Sequence, residues 1–386
     1  MSTILELKNI KYKYPNGPEA LKGINFRIDK GEKIAIVGAN GAGKSTLLLM
    51  LNGMLKPDSG DILFTGEIFR YDRKNLRELR RKVGFVFQNP DTQIIAPTVY
   101  QDVAFGPVNL GYSDDKVRSS VKEALSYVGM SGFERRPPHQ LSGGEKKRVA
   151  MAGILAMNPD ILVFDEPTSA LDPAGSEDVM ELLDEMHISG KTIIISTHDV
   201  ELAYPWADRV VLMQGGRVLT EGTPDDVFHN KSLVKSAKLS IPVLLELYES
   251  LIERGMESSK RLPKSVLDFV HLLERDLYED LKIKYGKIHL IDADNIEVGN
   301  ISQYITKNRI SSIGAMGSKA KLMAEIEKIE LDFTYGVIDK CLLKAMNKKD
   351  SLIITNGGMI KRVNERVKCF NEESKRNVEI IEFKKE

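Results

Sequence analysis

The feature that most constrains this chain is a glycine-rich loop set between a strand and a helix. Residues 38–45 read Gly-Ala-Asn-Gly-Ala-Gly-Lys-Ser, with an apolar run at 33–38 leading into them and a helical run at 45–51 after them. Glycines allow backbone N–H groups to converge on phosphate oxygens, and the following helix directs the positive end of its dipole to the same point. The pattern therefore predicts an α/β fold whose loop binds the phosphates of a ligand.

Each position of this loop has an expected task. Lys44 supplies a mobile positive charge for the β- and γ-phosphates of ATP, and Ser45 offers a hydroxyl to Mg²⁺. A glycine turn that arose by chance is the alternative, but the place of the loop between a strand and a helix favours the phosphate site. The residues expected to bind the nucleotide here are Gly38, Asn40, Gly41, Ala42, Gly43, Lys44, Ser45 and Thr46.

A second apolar strand, at 161–164, leads into two carboxylates, Asp165 and Glu166. The first carboxylate can hold Mg²⁺, and the second, which projects differently, can polarise the attacking water. Taken alone, this segment is better explained as a strand that ends in an acidic turn. Coupled to the phosphate loop, it predicts a nucleotide hydrolase.

Composition excludes several other classes of protein. The chain has 386 residues, too long for one typical domain, and its 55 Lys+Arg balance 55 Asp+Glu. We therefore expect no nucleic-acid partner, since neither a net positive charge nor a local basic run is present. Cys341 and Cys369 form no CxxC pair, which indicates a reduced, cytosolic protein. With no secretory signal and no apolar run of about 18 residues, we expect any membrane role to be exercised from outside the bilayer.

Strand and helix patterns predict the architecture. Short alternating segments before residue 30 predict an antiparallel β layer, and buried runs at 83–87 and 192–195 predict a parallel sheet covered by helices. Helical signals over 100–157 indicate an inserted helical subdomain. We predict an α/β fold: a P-loop ATPase core with the β layer and the helical subdomain, followed by helices and a small C-terminal α/β domain. The predicted domains are 1–232 (nucleotide-binding), 233–281 (helical linker) and 282–386 (small α/β domain).

The C-terminal part has its own strand pattern. Its predicted strands lie at 288–291, 331–338, 352–354 and 378–381, with helices such as 320–329 between them. The run 314–319 precedes a helix and can hold a small anion, although an ordinary helix start is the favoured explanation. Asp292 and Asp294 can bind a metal, but an acidic turn at a strand end is again favoured.

Residues 141–145, Leu-Ser-Gly-Gly-Glu, precede the strand that carries Asp165 and Glu166. This run resembles the signature of ABC ATPases, and other motifs of that family follow in family order over residues 3–230. Tyr14 resembles the aromatic that stacks on adenine, with Tyr12 as a weaker competitor. Gln88 resembles the glutamine that senses Mg²⁺ and the γ-phosphate. Residues 169–172 resemble the D-loop, and His198 resembles the switch histidine.

The resemblance implies an ATPase that works as a pair of subunits. Ser142, Gly143 and Gly144 are expected to close over the nucleotide that a second ATPase subunit holds, and self-pairing or pairing with a different chain both remain open. A plain helix cap is the alternative for this run taken alone. Catalysis is assigned to Glu166, His198 and Gln88, and Mg²⁺ binding to Ser45, Gln88 and Asp165. Glu145 departs from the glutamine that many members carry.

The segments 89–99 and 102–107 closely resemble the cobalt/nickel and energy-coupling factor importer ATPases, and 146–150 and 203–210 strengthen that match. The resemblance implies transmembrane partner subunits, a place at the cytoplasmic face of the cell membrane, and uptake of a cobalt or nickel ion or a vitamin-like solute. Ile94 and Ile95 are expected to form the groove that receives a short helix of the membrane partner; packing into the helical subdomain is the alternative.

Some ABC ATPases do not transport solutes. Those that act on chromosomes, DNA lesions or ribosomes carry long heptad insertions, duplicated cassettes or basic arms, and this sequence has none of these.

Two functions of the C-terminal domain stay open. The domain over 282–386 is expected to regulate transport, by sensing substrate or mediating dimer contacts. The alternative is an enzyme domain that processes the imported compound.

Overall fold

A computed structural model describes residues 3–256, 262–277, 285–295, 301–374 and 376–383. The chain divides into two compact units, the first built from Met1–Leu171 and Gly190–Glu249, the second from Asp172–Ser189 and Ser250–Glu386. The second unit therefore includes a helix from the middle of the sequence. The division into 1–232, 233–281 and 282–386 stays a prediction. Residues 257–261 and 278–281 of the predicted linker, and 282–284 of the predicted C-terminal domain, lie outside the described residues.

The strands, in chain order, are β1 Thr3–Lys13, β2 Glu19–Asp29, β3 Lys33–Val37, β4 Ser59–Phe64, β5 Glu67–Ile68, β6 Val83–Val86, β7 Ile161–Asp165, β8 Thr192–Thr197, β9 Arg209–Gln214, β10 Arg217–Gly222, β11 Ile288–Asp292, β12 Ser312–Ala315, β13 Ser351–Thr355 and β14 Ile380–Glu382. The helices are α1 Lys44–Leu51, α2 Arg73–Lys82, α3 Val99–Asn109, α4 Asp114–Tyr127, α5 Gly143–Leu155, α6 Pro173–Ile188, α7 Val200–Trp206, α8 Pro224–His229, α9 Lys231–Ser236, α10 Val243–Ile252, α11 Val266–Leu277, α12 Ile301–Asn308, α13 Ser318–Ile326, α14 Val337–Met346 and α15 Gly358–Ser374.

The first unit contains two sheets. A four-stranded sheet in the order β2-β1-β4-β5 is antiparallel throughout, as the alternating segments predict. A six-stranded sheet has the order β10-β9-β3-β8-β7-β6, in which only the β10–β9 pair is antiparallel. The runs in β3, β7 and β8 are buried along almost their whole length, as expected of parallel strands between two layers. The predicted α/β class is confirmed.

The parallel strands of this sheet gather their carboxyl ends at one edge. Val37 at the end of β3 pairs with Thr197 at the end of β8, and Asp165 at the end of β7 pairs with Ser196. The loops that follow these strands therefore emerge side by side, where ligands of open α/β sheets bind. The helical subdomain, α3 to α5, lies in sequence between β6 and β7, as predicted.

The second unit has a four-stranded sheet in the order β12-β13-β11-β14, and every described pairing in it is parallel. Two predicted strands need correction here, and one strand was missed. The segment 331–338 is not a strand: Phe333 makes one isolated bridge to Gly314, and helix α14 begins at Val337. Strand β12 was not predicted. The strand expected at 378–381 is shifted to β14.

No helix in the described ranges combines the length and apolar character that crossing a bilayer requires.

Candidate functional site

The loop between β3 and α1 is held in a shape that only glycine permits at key points. Gly43 has a φ of 102°, and a Cβ on it would lie 2.7 Å from the carbonyl oxygen of Ala20. A Cβ on Gly38 would lie 2.5 Å from the carbonyl oxygen of Met213. These close approaches explain why glycine occupies both positions. The loop leads into Lys44, the first residue of α1.

Lys44 is buried, with 6% of its surface exposed, and its ammonium group faces the loop that it follows. Its Nζ donates hydrogen bonds to the carbonyl oxygens of Gly38, at 2.7 Å, and Ala39, at 3.3 Å. The same Nζ lies 3.5 Å from Oε1 of Glu166. A positive charge is thus fixed between the glycine-rich loop and the carboxylate at the end of β7.

Asp165 and Ser45 meet as the sequence predicts. Ser45 Oγ donates to Oδ1 of Asp165 at 3.1 Å. A hydroxyl beside a carboxylate is the oxygen donor set that Mg²⁺ prefers, and Mg²⁺ commonly takes only one or two protein carboxylates together with substrate phosphates. Among the described residues, no cluster of three or more His, Cys, Asp or Glu side chains could hold a metal. The pair therefore fits Mg²⁺ bound together with nucleotide.

Ser196, which the sequence analysis did not single out, joins the two carboxylate residues. Its Oγ donates to Oδ1 of Asp165 at 2.5 Å and accepts from the backbone N–H of Glu166 at 3.0 Å. Ser196 is fully buried near the end of β8. The available signal was a hydroxyl residue directly after the apolar run of that strand.

Glu166 is the point on which the other polar side chains converge. Its Oε1 lies 3.2 Å from Nδ1 of His198, and its Oε2 lies 3.5 Å from Nε2 of Gln88. Together with Lys44, three residues from three different parts of the chain thus approach one carboxylate. Its backbone φ of 44° lies in the left-handed region, a conformation that costs a non-glycine residue on the order of 1 kcal/mol or more and is concentrated at functional sites.

Lys147 is a second residue that the sequence analysis missed. This buried lysine donates to the carbonyl oxygens of Phe87, at 3.1 Å, and Gln88, at 2.9 Å. Burial lowers its pKa to about 8, although the charges of Asp165 and Glu166 act in the opposite direction. Lys147 fixes the backbone that presents Gln88. A lysine within the signature helix α5 gave no sequence signal for this role.

The loop and the converging residues line one cavity of about 740 Å³. Tyr14 lies at its wall, half exposed, and its hydroxyl shares a hydrogen bond of 3.2 Å with Oγ1 of Thr46. Tyr12 packs edge-to-face against Tyr14, with 5.0 Å between ring centroids. Site residues that line the cavity are Tyr14, Asn40, Gly41, Ala42, Gly43, Lys44, Ser45, Thr46, Gln88, Glu166 and His198.

The signature residues do not line this cavity. Ser142 is the N-cap of α5: its Oγ accepts from the backbone N–H of Glu145 at 3.3 Å, and the Glu145 carboxylate accepts from the N–H of Ser142 at 2.7 Å. This hydrogen bond lowers the pKa of Glu145. A Cβ on Gly143 or Gly144 would meet no atom within 4 Å, so this helix start is open on the outside. Glutamate and glutamine serve equally in such a capping box.

A second cavity of about 750 Å³ lies in the first unit, away from the phosphate loop. Its wall is largely apolar and includes Phe85, Ile95, Phe105 and Met157 beside Arg77. Ile95 has 68% of its surface exposed and Ile94 is half-buried. The expected apolar groove is therefore formed by Ile95 with the helical subdomain.

Comparison with known proteins places these features in context. Residues 21–169 match the family described as ABC transporter. The chain is 54% identical over 383 residues to the energy-coupling factor transporter ATP-binding protein EcfA2 of Methanospirillum hungatei, which covers 98% of this chain and 96% of that protein.

Solved structures are similar over about two thirds of the chain or slightly less. CbiO1 of Clostridium perfringens, part of the ABC transporter complex CbiONQ, is 44% identical with a TM-score of 0.56, covering 66% of this chain and 100% of CbiO1. A dimeric ATP-binding cassette bound to ADP and Pi is 33% identical with a TM-score of 0.51, covering 57% of this chain and 99% of that one.

Proposed function

The chain belongs to the ATP-binding subunits of ABC transporters, of the energy-coupling factor type, and on that premise we propose that its ATPase activity drives solute uptake through partner membrane proteins. The proposal rests on one observation above all. Lys44, Gln88 and His198 converge on the carboxylate of Glu166 beside the phosphate loop. This is the set of groups needed to bind a terminal phosphate and to activate water next to it.

The proposed reaction follows from these positions. Backbone N–H groups of residues 38–45 and the ammonium of Lys44 bind the phosphates, and Tyr14 stacks on the base. Glu166 accepts a proton from the attacking water, while His198 and Gln88 bind the γ-phosphate and orient that water. In-line displacement then releases phosphate and leaves ADP in the loop.

The donor set at Ser45 and Asp165 supports Mg²⁺ as the metal, with Gln88 as a further oxygen ligand. When bound, Mg²⁺ would neutralise charge on the β- and γ-phosphate oxygens. The chain's own residues fix its place: Ser196 orients the Asp165 carboxylate through its 2.5 Å hydrogen bond.

We propose that a second subunit completes the site. Ser142, Gly143 and Gly144 lie at an exposed helix start, where backbone N–H groups favour an anion. Because they do not line the cavity of their own chain, they serve the nucleotide that another subunit holds. The dimeric cassette to which this chain is similar supports that arrangement.

The groove around Ile95 is proposed as the contact with the membrane partners, at the cytoplasmic face of the membrane. An apolar, concave surface lined in part by Phe87, the residue before Gln88, suits a short amphipathic helix. Closure of the dimer would then move the partner. The resemblance of segments 89–99 and 102–107 to the cobalt/nickel and energy-coupling factor importer ATPases supports a cobalt or nickel ion as the solute, with a vitamin-like solute as the alternative. Similarity to CbiO1, part of an ABC transporter complex, supports the presence of partner subunits. Co-purification of the membrane subunits, followed by uptake assays with each solute, decides between them.

The assignment of Glu166 has a direct test. Glu166→Gln keeps the size of the side chain but removes the base, so we expect ATP hydrolysis to fall about a thousandfold while ATP still binds. A matched control is Glu221→Gln, which alters a carboxylate that pairs with Arg209 away from the cavity and should hydrolyse ATP normally. Normal turnover by Glu166→Gln would show that another group is the base.

A further inference from the structure

Helix α6 lies in sequence between β7 and β8 but belongs to the same compact unit as the C-terminal α/β region. Its carboxylates make the contact. Glu181, 8% exposed, accepts a hydrogen bond of 3.0 Å from the backbone N–H of Gly317, and Glu185 accepts one from the N–H of Ser318. The start of α13 is thus bound by two carboxylates of the chain itself, a favourable use of the positive end of a helix.

The contact is close enough to need glycine. Gly317 has a φ of +91°, and a Cβ there would lie 2.6 Å from Oδ1 of Asn356 and 3.2 Å from Oε1 of Glu185. Any side chain at this position would push the carboxylate away. The sequence feature at 314–319, explained from sequence as an ordinary helix start, is therefore shaped to accept α6.

Two cations bind the same face of α6. Lys321 pairs with Glu181, and its Nζ lies 2.9 Å from Oδ1 of Asp178. Arg362 on α15 pairs with Asp184 at 3.0 Å. Ion pairs so placed at two points along α6 define the orientation of the helix as well as its attachment.

Among the charged residues of the contact between α6 and α13, Lys321 is the one whose removal should cost most. Burial, with the neighbouring charge of Glu181 as the next cause, raises the pKa of Glu185 to about 7. Burial would lower the pKa of Lys321, but its pairing with Glu181 and Asp178 leaves the pKa above its ordinary value. Removing one partner of a buried pair is costly because it leaves uncompensated charge. Without Lys321, the buried carboxylate of Glu181 would lie next to Glu185 without this cation.

Helix α6 connects this contact, which lies in its second half, to the residues that follow Glu166. α6 continues directly from residues 169–172, which follow Glu166. That link is a tight turn: the N–H of Ser169 donates to the carbonyl of Glu166 at 3.1 Å, and the N–H of Leu171 donates to that of Thr168 at 3.3 Å. These two hydrogen bonds define the turn that joins Glu166 to the start of α6.

We infer that Glu181, Glu185 and Lys321 are positioning residues for ATP hydrolysis: through them the C-terminal unit holds α6, and with it the loop that follows Glu166. The C-terminal unit is then a regulatory element that sets the rate of the cassette by the state of this contact. The inference rests on the proposed function, because the loop at 169–172 matters only if Glu166 and a second subunit complete the site.

The test compares two lysines on α13 in the full-length chain. Lys321→Ala should lower kcat about fivefold, the size expected for coupling through a packed contact. For this comparison, kcat is calculated from the concentration of ATP-binding sites, measured by titration. KM for ATP should stay unchanged because residues 38–45 are untouched. Lys321→Arg should restore most of the rate. Lys319→Ala is the matched control, since Lys319 pairs with Asp294 at the surface, and it should leave kcat unchanged.

A second variant keeps the test decisive if Lys321→Ala does not fold. Arg362→Ala removes the half-exposed pair with Asp184 and should lower kcat about twofold in the same KM-independent way. Unchanged kcat in folded Lys321→Ala or Arg362→Ala would overturn the inference. Failure of the proposed function is separate: it appears as normal turnover by Glu166→Gln in an otherwise unaltered chain.

Discussion

Two helix starts in this molecule are built alike but carry different partners. In the first unit, β3 leads through the glycines of 38–43 into α1; in the second, β12 leads through Gly317 into α13. The first start lines an open cavity and has Lys44 beside it. The second is bound by Glu181 and by Glu185 of the same chain.

This difference teaches that a strand, a glycine and a helix start define an anion site but not the identity of the anion. In the first unit the loop is long enough for several N–H groups to surround a phosphate chain. In the second, a single glycine admits one or two carboxylates, and the lysine of the next turn, Lys321, binds them from the side. One start serves a ligand, and the other holds the protein together.

The largest expected effect is a loss of ATP affinity when the lysine of the first helix start is removed, but not when the lysine of the second is removed. Lys44→Ala should weaken ATP binding about a hundredfold, since a charge-assisted contact of 2–3 kcal/mol is lost. Lys321→Ala should leave ATP affinity unchanged. Titration of both variants with a fluorescent ATP analogue measures this. Equal losses of ATP affinity would mean that the second helix start also binds the nucleotide, which would contradict the distinction drawn between the two starts.

A smaller effect is expected from the glycine of the second start. Gly317→Ala places a Cβ against Asn356 and Glu185 at a φ of +91° and should destabilise the second unit by about 2–3 kcal/mol. Gly132→Ala is the control, because its φ of +88° is similar but no atom lies within 4 Å of the added carbon. Amide hydrogen exchange next to each glycine reports the loss, in α13 and β12 for Gly317→Ala and in α4 for Gly132→Ala. Equal, small effects of both variants would show that the close contact with α6 is absent.

The smallest effect concerns pH. Burial, with the charge of Glu181 next, raises the pKa of Glu185 from 4.5 to about 7. The folded chain therefore keeps this proton where the unfolded chain has lost it, so the stabilisation is complete below about pH 4.5 and disappears as pH rises through about 7. From pH 5.5 to 7.5 the second unit should lose about 1–2 kcal/mol relative to Glu185→Gln.

Thermal unfolding of both chains across this pH range is the measurement. Glu365→Gln, which alters an exposed carboxylate paired with Lys361, should follow the wild-type curve. A pH dependence that persists in Glu185→Gln would assign the titration to another group.

The same comparison explains what the sequence could predict. The first start lies in a motif with fixed spacing, so the phosphate loop follows from the sequence pattern. The carboxylates at the end of β7 follow from that loop together with the strand pattern, and Gln88 and His198 follow from the resemblance to ABC ATPases. What spacing cannot show is contact between distant segments. Ser196 and Lys147 act through hydrogen bonds to residues some 30 and 60 positions away.

The secondary structure of the second unit was harder to predict because its local sequence patterns favour the wrong elements. β12 is short and contains Gly314, which is needed because a Cβ there would lie 2.3 Å from Cγ1 of Val337. The apolar run at 331–338 looks extended, yet Gly336 adopts a φ of 58° and begins a helix at Val337. The carboxylates of α6 have the spacing of a solvated helix face, so only the fold shows that they are buried.

The central claim is that nucleotide lies between the phosphate loop of one chain and the signature of another. Light scattering on Glu166→Gln tests it most directly. We predict that saturating ATP doubles the mass from the 43.2 kDa of one chain, and that adding Ser142→Glu abolishes the doubling. A single-chain mass with ATP bound, or a dimer indifferent to Ser142→Glu, would contradict the account.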